Sequence, residues 1–580
     1  MILQGRPKDT LVADGIGLAL DLIMLVHRHP YRELSADAAR TALMSAIRRL
    51  TRDPIGDCAV EALLRAGELE CALADLAHPG EATVACVTDA MASHVLVEHG
   101  ASLRDVERSL CGLDLPERLR FRTPAGYAHH ALDPRQYAGL IEQIQLDPRR
   151  PSAVIGVRSI GTSLGAIVAE ALRVHVHGCA VERISVRPEG HPWARVLHWH
   201  EREAMFVDAQ RPRGAQFLIV DEGPNASGST FLAVAEALER AGVPRGDIVL
   251  CASRSPDPRS LMAKNAAERW TRYRCQAASP WAVVSGLEDL SAGAWRKVAY
   301  GADAAAWPAC WTQFERLKRR SADGQWLDKF EGLAPYGETA FERAGALAQA
   351  GFGPAPTWQG HGFVRYPWLP GRPARASDLD GQLLRELARY CAFRTRELRV
   401  DDAPTRGLEL MLQTNLDEAF GVELGDRLQL QVERPVIADA RMQPFEWRLS
   451  GDGRLLKTDG DSHGDGPLLP GPCDICWDLA GAIIEWNMNR AQLEQFILDY
   501  VRLSGDLAHK RLPAYLLAYC AQRLGEAHVA ARGSDPEERA RLLNAQQVYR
   551  DQLEHWLTAT SNQPPRQRRL TREYAWRATG

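Results

Sequence analysis

Lysine is almost missing from this chain. Of its 70 basic residues only seven are Lys, a bias toward Arg that makes each Lys conspicuous. A surplus of either charge is missing too. The 70 basic and 74 acidic residues give a net charge of −4, with a pI near 6.5. That excludes a strongly basic nucleic-acid binder. Aromatic residues make up only 7%. No apolar run approaches the roughly 20 residues a membrane span needs. The best candidate, residues 15–26, carries Asp21. Arg6, Lys8 and Asp9 are not followed by a small-residue cleavage pattern, so no secretory signal is expected. Twelve Cys in 580 residues are too dilute for a disulfide framework. They suit a reducing compartment, and a cytoplasmic location is expected. What remains is ordinary globular composition, 45% hydrophobic and 25% charged. At 64.2 kDa, it amounts to roughly four domains.

Residues 1–135 read as helical. Leu18, Leu22, Leu25 and Val26 fall at helical spacing, Ser35 is a candidate N-cap, and 59–76 is rich in Ala, Leu and Glu. No chemical motif stands there, which suggests an accessory or oligomerisation region. Residues 136–290 change texture. Apolar runs at 152–159, 180–186, 217–220 and 247–253 alternate with helical stretches at 166–174 and 231–241, the pattern of a parallel α/β sheet. After about residue 301 the alternation stops. Residues 308–375 suggest a small antiparallel sheet with one helix, and 376–560 are largely helical around a loop-rich centre. The tail, 561–580, is basic and is expected to be solvated or docked.

The first chemical signal is the run from Phe217 to Thr230. An apolar strand ends in Asp221-Glu222, and a loop of small residues then opens a helix. In α/β sheets ligands bind at the carboxyl ends of strands. Ser227, Gly228, Ser229 and Thr230 would offer backbone N–H groups to a phosphate at a helix N-terminus. Asp221 and Glu222 would accept from sugar hydroxyls. This run resembles the signature of type I phosphoribosyltransferases, with a spacer, Gly223-Pro224-Asn225-Ala226, one residue longer than usual. The resemblance implies transfer from 5-phosphoribosyl pyrophosphate, with Mg²⁺ on the pyrophosphate. It puts Arg158 and Ser159, after the first core strand, in the pyrophosphate loop. It also puts a mobile loop at about 187–212, where Arg187 and Arg195 are further pyrophosphate candidates. The segment 127–137, with His129 and His130, is a candidate lid on the acceptor side.

The second signal lies downstream. Gln325-Trp-Leu-Asp-Lys329 suggests a strand with an inward Lys, and Glu342 opens a helical run thirteen residues on. Such a Lys–Glu pair orients nucleotide phosphates in kinase-like folds. Asp439 follows an apolar strand. Glu446 stands seven residues later, and a second strand ends in Asp459-Gly460. With Trp368-Leu-Pro-Gly and Asp478-Leu-Ala-Gly, these resemble aminoglycoside phosphotransferases and choline kinases. The resemblance implies ATP as substrate, Lys329 and Glu342 at the nucleotide, Asp439 as the acceptor-orienting base, and Glu446 and Asp459 as Mg²⁺ ligands. Two departures stand out: Ile437-Ala438 precedes Asp439 where the family has His-Gly, and Glu446 stands for the family's Asn.

The expectation is therefore a mixed α/β and α+β multidomain enzyme of small-metabolite chemistry. It would combine phosphoribosyl transfer with ATP-dependent phosphorylation. No membrane or nucleic-acid partner is expected, and homo-oligomer formation is left open. A sensor or defence protein with one or both sites degenerate is the alternative.

Overall fold

The computed structural model describes residues 32–50, 57–97, 102–176, 180–191, 193–224, 227–279, 286–421, 429–461, 468–532 and 534–560. The expected helix around Leu18 to Val26 and the basic tail lie outside them. The chain divides into two compact units. Among the described residues, one comprises 32–301 with 312–369, and the other comprises 302–311 with 370–560.

The first unit is built on a five-stranded parallel sheet of β3 (Ser152–Val157), β4 (Val181–Val186), β5 (Gln216–Val220), β6 (Ile248–Ala252) and β7 (Arg274–Ala277), in the order β4-β3-β5-β6-β7. β3, β5 and β6 are buried at every position, so they read as continuous apolar runs. Their side chains alternate between faces. Val154, Leu218, Val220, Val249 and Cys251 join a core with helices from the chain's first half: α1 (Ala36–Leu50), α2 (Asp57–Asp75), α3 (Glu81–Leu96) and α5 (Ile160–His175). Ala153, Ile155, Phe217, Ile219, Ile248 and Leu250 join the opposite core with α7 (Ser229–Arg240). The N-terminal helices are thus a layer of the α/β core. α4 (Leu103–Cys111) and the short strands β1 (Arg32–Ser35) and β2 (Arg118–Phe121), which pair with each other, complete this half.

Two elements depart from expectation. The stretch read as a mobile loop, 187–212, holds a bridge between Glu189 and Val196 and then α6 (Glu201–Gln210). Its buried positions, Glu203, Val207 and Gln210, form no apolar stripe, and the Glu203 carboxylate caps its start by accepting from the His200 N–H at 3.1 Å. β7 was not expected, because Arg274-Cys-Gln-Ala is a mixed sequence at a sheet edge.

The same unit holds an antiparallel sheet of β8 (Leu287–Asp289), β9 (Lys318–Ser321), β10 (Trp326–Phe330), β11 (Thr357–Gly360) and β12 (Phe363–Pro367), in the order β11-β12-β10-β9-β8. Ala344 and Phe341 of helix α8 (Tyr336–Gln349) pack on Val364, Tyr366 and Trp358 of this sheet.

The second unit is mainly helical. It contains α9 (Gly381–Glu397), α10 (Arg406–Phe420), α11 (Cys476–Glu485), α12 (Arg490–Ser504), α13 (Leu512–Arg532) and α14 (Pro536–Thr560). The Asp380 carboxylate caps α9, accepting from the Gln382 and Leu383 N–H groups at 2.9 Å. Among the helices lie two small antiparallel sheets. One is β13 (Arg372–Pro373), β15 (Trp447–Leu449) and β16 (Leu455–Lys457); the other is β14 (Pro435–Ile437) with β17 (Pro472–Asp474).

The turn from β3 into α5 leaves no room for a side chain at Gly156. A Cβ there would stand 2.2 Å from the Gly161 carbonyl oxygen, which is backbone and cannot swing away. Gly156→Ala is expected to cost about 1–3 kcal/mol or more. Gly246→Ala, where a Cβ meets nothing within 4 Å, should stay within about 0.5 kcal/mol of the parent. Denaturant melts of the two variants side by side provide the check.

Candidate functional site

Asp221 and Glu222 follow the central strand β5 at its carboxyl end. Asp221 is 9% exposed. Burial pushes its carboxyl up to about 7; the Glu222 N–H, which donates to Asp221 Oδ1 at 2.8 Å, works in the opposite direction, while the Glu222 charge adds to the rise. The Tyr137 hydroxyl donates to the Asp221 carbonyl at 2.6 Å. Glu222 turns to the segment 125–130: Oε2 accepts from the Gly126 N–H at 3.0 Å, and Oε1 lies 2.7 Å from His130 Nδ1. Sequence reasoning named His130 only within a lid; its pairing with Glu222 carries no local signal, because the two are far apart in the chain.

Downstream, Gly228 takes φ +69° and begins α7. The Ser229 N–H donates to Ser227 Oγ at 3.2 Å, and the two hydroxyls lie 3.0 Å apart. Both serines are buried, and a Cβ at Gly228 would stand 3.0 Å from Leu261 Cδ1. The turn is therefore roofed by the segment that contains Leu261, with Thr230 half-buried beside it. Of the spacer, Asn225 and Ala226 lie outside the described residues.

The arginines assigned to pyrophosphate are placed otherwise. Arg158 is an internal strut: Nη2 donates to Glu203 at 2.8 Å and to the Ser185 carbonyl at 2.8 Å, and Nη1 lies 3.3 Å from Asp75. Arg187 grips the same Asp75 at 2.7 and 2.6 Å. Arg195 donates to the Pro188 carbonyl at 3.4 Å. Ser159 stands at the start of α5, half-buried. An acid at the end of α2, delivered by the fold, draws both Arg158 and Arg187.

Lys329 lies on β10 opposite Val364. It is 2% exposed, and Nζ stands 2.7 Å from Glu331 Oε1. Tyr366 donates to the same oxygen at 3.0 Å. The expected partner was Glu342, but that residue is exposed on α8. The correction has a simple cause: residues i and i+2 of an extended chain share a face, and Glu331 is two residues from Lys329. Arg316 closes the strand end. Its Nη1 donates to the Glu331 carbonyl at 3.0 Å and to the Ala128 carbonyl at 2.9 Å, and its Nη2 lies 2.9 Å from His129 Nδ1. Burial, then Arg316, holds His129 well below the usual imidazole range.

In the second unit Asp439, after β14, is fully buried. Tyr390 donates to its Oδ2 at 2.5 Å, and Lys457 Nζ lies 3.4 Å from the same oxygen. The backbone N–H groups of Asp439 and Ala440 donate to Asp478 at 2.9 and 3.0 Å. Arg394, wholly buried, lies 3.4 Å from Asp478 and donates to the Gly460 and Ile437 carbonyls at 2.7 and 2.6 Å. Burial raises the Asp478 carboxyl to about 6 against the pull of Arg394. Gly460 is pressed on this group, since a Cβ there would meet the Tyr390 hydroxyl at 2.4 Å. The half-buried Glu446 is tied to the same end of the hairpin, as its carbonyl accepts from the Thr458 N–H at 2.9 Å. Asp459 and Asp461, which follow Thr458 in the chain, are buried. Carboxylates two residues apart are hard oxygen donors of the kind Mg²⁺ takes.

No family model and no curated protein matches the chain. Among solved structures it is similar to a choline/ethanolamine kinase family protein from Mesorhizobium loti, at 14% identity and TM-score 0.30, over 41% of this chain and 85% of that one. It is also similar to a choline kinase from Streptococcus pneumoniae (14%, TM-score 0.31, 41% and 89%) and to a spectinomycin phosphotransferase in complex with ADP and spectinomycin (11%, TM-score 0.30, 42% and 88%). No helix among the described residues is long and apolar enough to cross a membrane.

The Asp221 carboxyl gives a testable pH dependence. Its folded value, about 7, lies above its ordinary 3.8. Between those values the folded chain holds a proton that the unfolded chain has lost, so its contribution to stability falls as pH rises from about 4 through 7. The change is on the order of 3–4 kcal/mol. Asp221→Asn should therefore match the parent near pH 4 and exceed it at pH 8. Urea melts at the two pH values measure the difference.

Proposed function

We propose that this chain is a two-site enzyme of small-metabolite chemistry, in which the second unit serves ATP-dependent phosphoryl transfer and the end of β5 binds a phosphoribosyl donor. The observation that supports the first half is the meeting of Asp439 and Gly460, from two strand ends, at Tyr390 and Arg394, with the Glu446 carbonyl bonded to the Thr458 N–H one residue before Asp459. In this reading Glu446 and Asp459 hold Mg²⁺, which would neutralise charge on the transferring phosphoryl group. Asp439 orients the acceptor hydroxyl. Phosphoryl transfer asks the protein mainly for positioning and charge stabilisation. The second half is supported by the acid pair at the carboxyl end of a central parallel strand, followed by a Gly/Ser turn into a helix. There 5-phosphoribosyl pyrophosphate would meet Asp221, Glu222 and the Ser227 to Thr230 turn.

One observation favours a second reading, a sensor that binds nucleotide without turnover. Asp439 is 0% exposed and held by both Tyr390 and Lys457. A base presented to an acceptor must be reached by it.

Calorimetry with Mg·ATP and an assay of ADP formation over a panel of hydroxyl-bearing metabolites separate the two. Asp459→Asn should weaken Mg·ATP binding at least about tenfold, roughly 1.4 kcal/mol. Asp439→Asn should keep that affinity and lose at least about a hundredfold in ADP formation. Undiminished ADP formation in Asp439→Asn would remove Asp439 from the base role, and Mg·ATP binding without any turnover would establish the sensor. A protein that does not bind Mg·ATP is neither.

A further inference from the structure

His130 has a setting that the phosphoribosyl reading does not use. It stands at the carboxyl end of β5, where ligands of parallel sheets bind. Its Nδ1 is 2.7 Å from Glu222 Oε1, so its Nε2 is directed away from that carboxylate. The imidazole is 34% exposed, while Glu222 is 17% exposed and fixed from its other oxygen by the Gly126 N–H. Neighbouring His129 is the opposite case: buried, its Nδ1 engaged by Arg316. The Phe314 ring, 40% exposed, meets the His130 ring edge-on at 6.3 Å and gives the imidazole an apolar flank. A partly exposed imidazole at such a strand end, with one nitrogen held by a carboxylate and the other directed away from it, is the arrangement of a general base and its orienting acid.

We propose that His130, oriented by Glu222, is the general base that activates the acceptor at this site. The proposal rests on the phosphoribosyl reading above. In the step it serves, an acceptor X–H attacks C1 of 5-phosphoribosyl pyrophosphate. The X–C1 bond forms as the C1–O bond to pyrophosphate breaks, pyrophosphate leaves with the bonding pair, and the acceptor's proton passes to His130 Nε2. Glu222 then stabilises the imidazolium it faces, which makes Glu222 a positioning residue in addition to any contact with the ribose.

The test uses the full chain with 5-phosphoribosyl pyrophosphate and Mg²⁺, with water standing as acceptor. Binding is read by calorimetry and chemistry by pyrophosphate release. His130→Ala is expected to keep the dissociation constant within about twofold and to lose about a hundredfold in release rate, with roughly tenfold restored by added imidazole. A purely structural role would move binding as well and would not be rescued. His130→Gln, which retains bulk and a hydrogen-bonding group, should show the same loss of rate with an unchanged melting temperature, so misfolding is told apart from lost chemistry. Pyrophosphate release at the parental rate in both variants overturns the proposal. So does a parent that binds 5-phosphoribosyl pyrophosphate and never cleaves it, since a base poised over the donor would activate water; in that case the binding reading survives. A parent that does not bind the compound overturns the phosphoribosyl reading itself, and the base with it.

Discussion

Charge in this protein is buried in pairs, and that constraint shapes both units. Transfer of an isolated ion into a protein interior is costly, and pairing is what makes it tolerable. In the first unit Lys329 sits against Glu331, Arg183 against Glu70 at 2.7 Å, and Arg158 against Glu203 at 2.8 Å. In the second, Arg394 meets Asp478, while Arg511 meets Asp506 at 2.8 Å and Asp474 at 3.2 Å. Removing one partner from such a pair strands the other, which typically costs 3–5 kcal/mol. Two of these pairs, Lys329 with Glu331 and Arg394 with Asp478, stand at strand ends where the candidate chemistry lies. Asp439 illustrates it: Tyr390 and Lys457 hold its carboxylate, and Asp478 receives its N–H, while Arg394 braces Asp478 from behind. The loop after β14 is thereby set before any ligand arrives.

The same constraint explains what could be read from the sequence. The central strands were legible because β3, β5 and β6 are buried on both faces and carry unbroken apolar runs. The acid pair and the Gly/Ser turn were legible because strand, loop and helix are contiguous in the chain. The pairing of Arg158 and Arg187 was not legible because their partner, Asp75, is 83 and 112 residues away and nothing local announces it. Lys329 is the instructive case. Its partner Glu331 was within sight of the sequence, on the same face of an extended chain, yet the likeness to kinases directed attention to Glu342. Local geometry was the better guide. Helix α6 was hidden for another reason: its burial rests on Glu203, Val207 and Gln210, of which only one is apolar.

Within the first unit, one short segment joins the two signals that the sequence presented separately. From 126 to 130 it gives Glu222 the Gly126 N–H and the His130 imidazole. From the same stretch the Tyr127 carbonyl accepts from the Leu333 N–H at 2.9 Å, and the Ala128 carbonyl and His129 ring receive Arg316. Arg316 in turn holds the Glu331 carbonyl beside Lys329. The end of β5 and the end of β10 are therefore fastened to opposite sides of five residues. A ligand whose hydroxyls displaced His130 from Glu222 would break a contact of that segment, and the energy of doing so depends on how firmly Arg316 and Leu333 hold its other side. Coupling of this kind is reciprocal, since a change of affinity at one end implies an equal change at the other. The fusion of a parallel sheet to an antiparallel one thus has a physical consequence: Gly126 and His130 face the end of β5, Ala128 and His129 are held by Arg316 at the end of β10, and a shift of the segment at one end is opposed by its contacts at the other.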